Sequence, residues 1–165
     1  MSDTVQLVYI LDPMCSWCWG FRVGLQDFTD SLGEYEMTCV MGGLASDTDE
    51  PMPDDVREYV QNAWRTVAAQ TGAEFNHDFW TQCRPRRSTY PSCRAVLAAG
   101  LQDQDAGPRM IHAIQCAYYL EARNPSDYEI LLELAEETGL DRERFAADVT
   151  SKAVEKLLQN DFMRR

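Results

Sequence analysis

Two cysteines, Cys15 and Cys18, stand three positions apart in the run Asp12-Pro13-Met14-Cys15-Ser16-Trp17-Cys18-Trp19-Gly20-Phe21. That spacing suits thiol–disulfide exchange, in which a second sulfur one helical turn away reaches the one just modified. The chemistry needs a thiolate. The first turn of a helix favours one, because its N–H groups lack partners and carry a partial positive charge. Cys15 and Cys18 are therefore the candidate catalytic pair. Cys-x-x-Cys is also half of a zinc knuckle, but zinc takes four ligands and no second Cys or His pair follows at short spacing. Cys39, Cys83, Cys93 and Cys116 are scattered singly, and the two histidines, His77 and His112, lie far apart. Neither a metal nor another cofactor is expected, and the four scattered cysteines are expected to be buried and inert.

The flanking residues must supply a strand and a helix. Val5 to Leu11 is an apolar run with little alternation, the pattern of a strand covered on both faces. Pro13 ends it. Phe21, Leu25, Phe28 and Leu32 then recur at helical spacing, so a helix starts close to Cys15, with Gly33 as its expected cap. Tyr35 to Met41, bounded by Gly33 and Gly42-Gly43, is a second strand. Strand, helix and strand make a βαβ unit, whose right-handed crossover sets the strands parallel.

With 165 residues and 45% apolar content the chain can bury a core without disulfides. Its 15 basic residues against 27 acidic ones give a net charge of −12, which argues against nucleic acid and anionic lipid as partners. The start Met-Ser-Asp-Thr is acidic and unlike a secretory leader, and no run is long enough to span a bilayer. The cytoplasm is the expected compartment, where Cys-x-x-Cys is more often catalytic or metal-binding than a crosslink. Arg84-Pro85-Arg86-Arg87 is a basic cluster suited to an anion such as the glutathione carboxylates, though a solvated loop is the favoured reading.

Beyond Gly43 the pattern is helical. Val56, Tyr59, Val60, Ala63, Trp64 and Val67 form one apolar stripe that ends at Thr71-Gly72. Phe75 to Thr89 is irregular. Pro91-Ser92 opens a helix that Gly100 ends or weakens, and Gly107-Pro108 opens the next. His112 and Cys116 lie one turn apart there, read as a packed cysteine beside a hydrogen-bonded histidine. Ser126 with Glu129 is an expected capping box for a helix closed by Gly139, and Asp141 and Ser151 cap two more.

Four segments together resemble the DsbA-like branch of the thioredoxin superfamily, in its cytoplasmic, FrnE-like members. They are Met14 to Phe21, Gly42-Gly43-Leu44, Pro91-Ser92-Cys93-Arg94-Ala95 and Ala113 to Tyr119. The similarity covers nearly the whole sequence, and the redox motif is its most diagnostic part. It implies an α/β fold: a thioredoxin-like domain from residues 1–45 and 151–165, interrupted by a helical insertion over 46–150. It also implies that Cys15 attacks a substrate disulfide and that Cys18 resolves the mixed disulfide. Family members continue with a cis-proline loop, a strand hairpin and a terminal helix, whereas the last proline here is Pro125 and no strand-like run follows Val149. The expectation is thus an incomplete sheet with a bare edge on Val5–Leu11, covered by further chain or by a homo-oligomer.

The expected function is that of a thiol–disulfide oxidoreductase or isomerase acting on protein or peptide thiols and disulfides, with glutathione as a further candidate partner. Trp17, Trp19 and Phe21 are the candidate substrate-binding surface, though packing explains Trp19 and Phe21 equally well. Ser16-Trp17 between the cysteines offers little to stabilise a thiolate, which points to a weakly oxidising pair. Two alternatives stand beside this: a redox-inactive binding or assembly module, and a relative of the kappa-type glutathione transferases and isomerases, which carry serine at the Cys15 position.

Overall fold

The structure, a computed structural model, describes residues 4–165. Met1 to Asp3, part of the acidic start weighed against a leader, lie outside the described residues. β1 (Val5–Leu11) and β2 (Tyr35–Met41) pair in parallel from Val5 opposite Tyr35 to Leu11 opposite Met41, with α1 (Ser16–Asp30) as the crossover. The expected βαβ unit is present with both strand ranges as read.

Seven helices follow: α2 (Asp54–Thr71), α3 (Phe79–Gln82), α4 (Tyr90–Gln102), α5 (Ala106–Tyr119), α6 (Tyr128–Glu137), α7 (Arg142–Val149) and α8 (Lys152–Phe162). α4 lies at the centre, packed by α5, α6, α7 and α8. α8 returns to the sheet, where the buried Asp161 carboxylate accepts the Met41 N–H at 2.8 Å. α1 packs on α2, and Gly20 makes this possible, because a Cβ there would come within 2.6 Å of Val67 Cγ1. The core centres on Trp64, whose ring lies 5.0 Å from Trp80 and 5.8 Å from Phe79, with Phe75, Tyr118 and Tyr119 completing the cluster. None of the helices is long and apolar enough to cross a membrane among the described residues.

Several local expectations hold. Gly72 and Gly139 take left-handed backbone after α2 and α6, and the Asp141 and Ser151 side chains accept from Arg144 N and Val154 N. Others need correction. β1 is not covered on both faces: Val8 is 60% exposed and Ile10 45%, so the sheet face from which these alternate residues project is open; among the described residues β1 pairs with β2 alone. α1 closes at Ser31, two residues before Gly33, through Ser31 N–H bonds to Asp27 O and Phe28 O. Gly100 is passed through, and the irregular stretch contains the one-turn α3, which buries Phe79 and Trp80. The Ser126–Glu129 box does not form. Asp127 takes the cap position, and the buried Ser126 hydroxyl donates to Ser88 O instead.

Candidate active site

The segment that delivers Cys15 is held by its own backbone. Asp12 O accepts the Cys15 N–H at 3.0 Å, Asp12 Oδ1 accepts the Met14 N–H at 2.8 Å, and the chain turns from β1 into α1 within three residues. Cys15 takes the cap position with extended backbone (φ −83°, ψ 115°), and its carbonyl accepts the first helical bond, from Trp19 N at 3.0 Å. Its sulfur thus sits at the end of α1 where unpaired N–H groups gather.

These groups set the charge of the sulfur. The Cys18 thiol donates to Cys15, and the N–H groups of Cys18 and Trp17 add to it; together they outweigh partial burial and the Asp12 carboxylate and bring the Cys15 pKa down to about 6. Cys18 moves the other way, pushed well above the ordinary thiol range by its bond to Cys15 and by burial. A low attacking thiol beside a high, proton-holding thiol is the division of labour that exchange requires. The remaining cysteines differ from Cys15: burial pushes the thiols of Cys39, Cys83, Cys93 and Cys116 up. Cys93 is buried and the other three are half-buried. Cys116 Sγ lies 3.5 Å from His112 Nε2, as the one-turn spacing implied.

The three candidate aromatic residues separate. Trp17 and Phe21 are exposed, 47% and 50%. Trp19 is not part of that surface, which corrects the expectation. It is 1% exposed, stacks on Tyr119 at 5.4 Å, and donates its indole N–H to Glu74 O at 2.9 Å. The Arg22 guanidinium covers its ring at 3.4 Å. Helical periodicity decides this: Trp19 begins the second turn and points into the interior between α1, α2 and α5. Within the basic cluster Arg86 is engaged by the chain itself, pairing with Asp49 and Asp127 and donating to Ser126 O.

Asp12 was not singled out from the sequence. It is 2% exposed, and its carboxylate accepts from Met14 N, from Leu44 N at 2.8 Å, from Thr89 Oγ1 at 2.6 Å and from Cys93 Sγ at 3.7 Å. Burial pushes its pKa up, and these donors work against the shift. Gly43 makes the Leu44 contact possible: its backbone is left-handed (φ +60°), and a Cβ there would meet Phe162 at 2.4 Å. The available signal was an Asp-Pro step between an apolar strand and a reactive cysteine, a place where a carboxylate caps its own turn.

Comparison with known proteins agrees with this geometry. The family model described as Thioredoxin matches residues 8–163. Among solved structures, a Nitrosomonas europaea protein described as a candidate protein disulfide isomerase superposes with a TM-score of 0.82 at 28% identity, over 98% of this chain and 78% of that one. The cytosolic disulfide reductase DsbM of Pseudomonas aeruginosa gives 0.79 at 26% identity, over 97% and 78%. Among curated proteins, the ClpXP adapter protein SpxH of Bacillus subtilis is 27% identical over 95% of this chain and 52% of its own length. The chain spans about half the length of the curated relatives it matches. An α/β unit with a parallel strand pair, a Cys-x-x-Cys at the start of its crossover helix and DsbA-like structural neighbours makes this chain a member of the thioredoxin family.

Proposed function

We propose that this protein catalyses thiol–disulfide exchange on protein or peptide substrates, with Cys15 as nucleophile and Cys18 as resolving thiol. The observation that carries this is the placement of Cys15 at the cap of α1, where neighbouring donors bring its pKa to about 6 while the other five cysteines are pushed up. The Cys15 thiolate attacks one sulfur of a substrate disulfide, and the other leaves as a thiolate that takes a proton from water. Cys18 gives up its proton and attacks Cys15 Sγ, the bond to the substrate breaks, and the Cys15–Cys18 disulfide forms as the second substrate sulfur leaves reduced.

Trp17 and Phe21 are the substrate-facing aromatic residues in this reading, and residues 46–150 act as a helical insertion beside the redox unit. Glutathione is a reasonable small thiol partner, since DsbM was also solved with it, and a reducing cytoplasmic compartment suits a dithiol resting state. The test is single-turnover reduction of a chromogenic aryl disulfide. Release of aryl thiolate should disappear in Cys15→Ser, and release unchanged in that variant would overturn the assignment.

The names of the curated relatives favour a second reading, a protein-docking module of the adapter kind. The exposed apolar side chains of Val8 and Ile10, alternate residues on one face of β1, give it a surface. Partner capture that survives Cys15→Ser with Cys18→Ser would support docking independent of redox chemistry. Capture lost in that double variant would tie it to the thiols.

A further inference from the structure

Resolution of the mixed disulfide asks the most of Cys18, because its sulfur must shed a proton although burial and the neighbouring Cys15 both oppose ionisation. One side chain is placed to ease that step. Tyr9 stands beside Cys39 in the parallel register, on the sheet face that meets α1. Its ring packs 6.3 Å from Phe21. Tyr9 and Cys18 line one cleft of about 170 Å³ between the sheet, α1 and α5. The titratable and charged groups facing it are Arg22 from α1, Cys39 from β2 and His112 from α5, with Cys15 above. Burial and the nearby thiols push Tyr9 beyond the ordinary phenol range, so it keeps its proton and acts as a donor, not as a base. A hydrogen bond from this phenol across the shared cleft favours the ionised form of Cys18 over the neutral thiol.

We propose that Tyr9 is a catalytic residue of the resolving step, donating a hydrogen bond to Cys18 Sγ as that sulfur becomes the nucleophile. The proposal rests on the exchange activity assigned above. The Cys18 proton leaves for water in the cleft, the Cys18 Sγ–Cys15 Sγ bond forms, and the bond from Cys15 to the substrate sulfur breaks. The departing substrate thiolate is reprotonated from water. Tyr9 neither gains nor loses a proton, and its donation strengthens only while Cys18 carries charge.

Acid-quenched single turnovers of the reduced full chain with one equivalent of a chromogenic aryl disulfide, followed by peptide mass spectrometry, separate the two steps. Tyr9→Phe should form the Cys15 mixed disulfide at the wild-type rate and lose it about tenfold more slowly, the size expected for one hydrogen bond to a charged sulfur. A ring-fluorinated tyrosine at position 9, a stronger donor of the same shape, should speed the loss. Decay unchanged in both variants, or formation and decay slowed together in Tyr9→Phe, would overturn the assignment. If the wild type forms no Cys15 mixed disulfide at all, the exchange activity itself fails and takes this inference with it. In a Cys15→Ala background, alkylation of Cys18 should shift to higher pH when Tyr9 becomes Phe.

Discussion

The Leu44 N–H donates to Asp12 Oδ2 across 2.8 Å, joining the turn that leads into Cys15 to the turn that leaves β2. Thr89 Oγ1, at the start of α4, binds the same oxygen at 2.6 Å. One buried carboxylate therefore gathers three segments that are distant in sequence and fixes where α1 begins. No charged side chain is among its hydrogen-bond donors; two backbone N–H groups, a hydroxyl and a thiol do that work.

Asp12→Asn tests this junction. An amide keeps one acceptor oxygen and turns the other position into a donor facing donors, so chemical denaturation should show a loss of about 1–3 kcal/mol. Cys15 should titrate lower than in the wild type, because the Asp12 charge that opposes its ionisation is gone. An unchanged midpoint of unfolding would show that the carboxylate holds nothing together.

Trp17 and Trp19 are two residues apart and should behave oppositely. Trp19→Ala opens a cavity under α1 and removes the stack on Tyr119, which should cost about 3–5 kcal/mol by denaturant titration. Trp17→Ala touches an exposed side chain, so stability should stay within about 0.5 kcal/mol while kcat/KM on a peptide disulfide falls. Equal stability losses would contradict the inward and outward placement.

Much of this arrangement was legible in local sequence. The two strand ranges, the start of α1 beside Cys15, and the Asp141 and Ser151 caps each depend on neighbours within a few residues, and each appears as read. The failures share a cause in tertiary contacts. Ser126 carries a capping pattern, but its hydroxyl is taken by Ser88 O, from a segment brought in by α4. β1 has the composition of a fully covered strand, yet cover depends on what packs on each sheet face, and the face carrying Val8 and Ile10 is open. Trp19 and Trp17 look alike in sequence, and only the position of α2 and α5 around α1 tells them apart. The roles argued for Asp12 and Tyr9 need the same knowledge: which sheet face meets α1, and which loops converge behind the first turn.

Cys18→Ala removes the principal donor to the Cys15 thiolate and the only route to resolution within the pair. Alkylation of Cys15 should move from a midpoint of about 6 toward the free-cysteine value of about 8.5. The mixed disulfide with substrate should then accumulate and be recoverable by non-reducing electrophoresis. Rapid turnover in this variant would mean that another thiol resolves the complex.

The rate of Cys15 alkylation against pH in the reduced wild-type protein, read at that residue by peptide mass spectrometry, bears most directly on the site. The thiolate is the reacting form and its pKa is depressed, so the rate should level off above about pH 7 and drop about tenfold per pH unit below about 6. A midpoint near 8.5, with Cys15 no more reactive at pH 7 than a free thiol, would contradict an anion held at the start of α1.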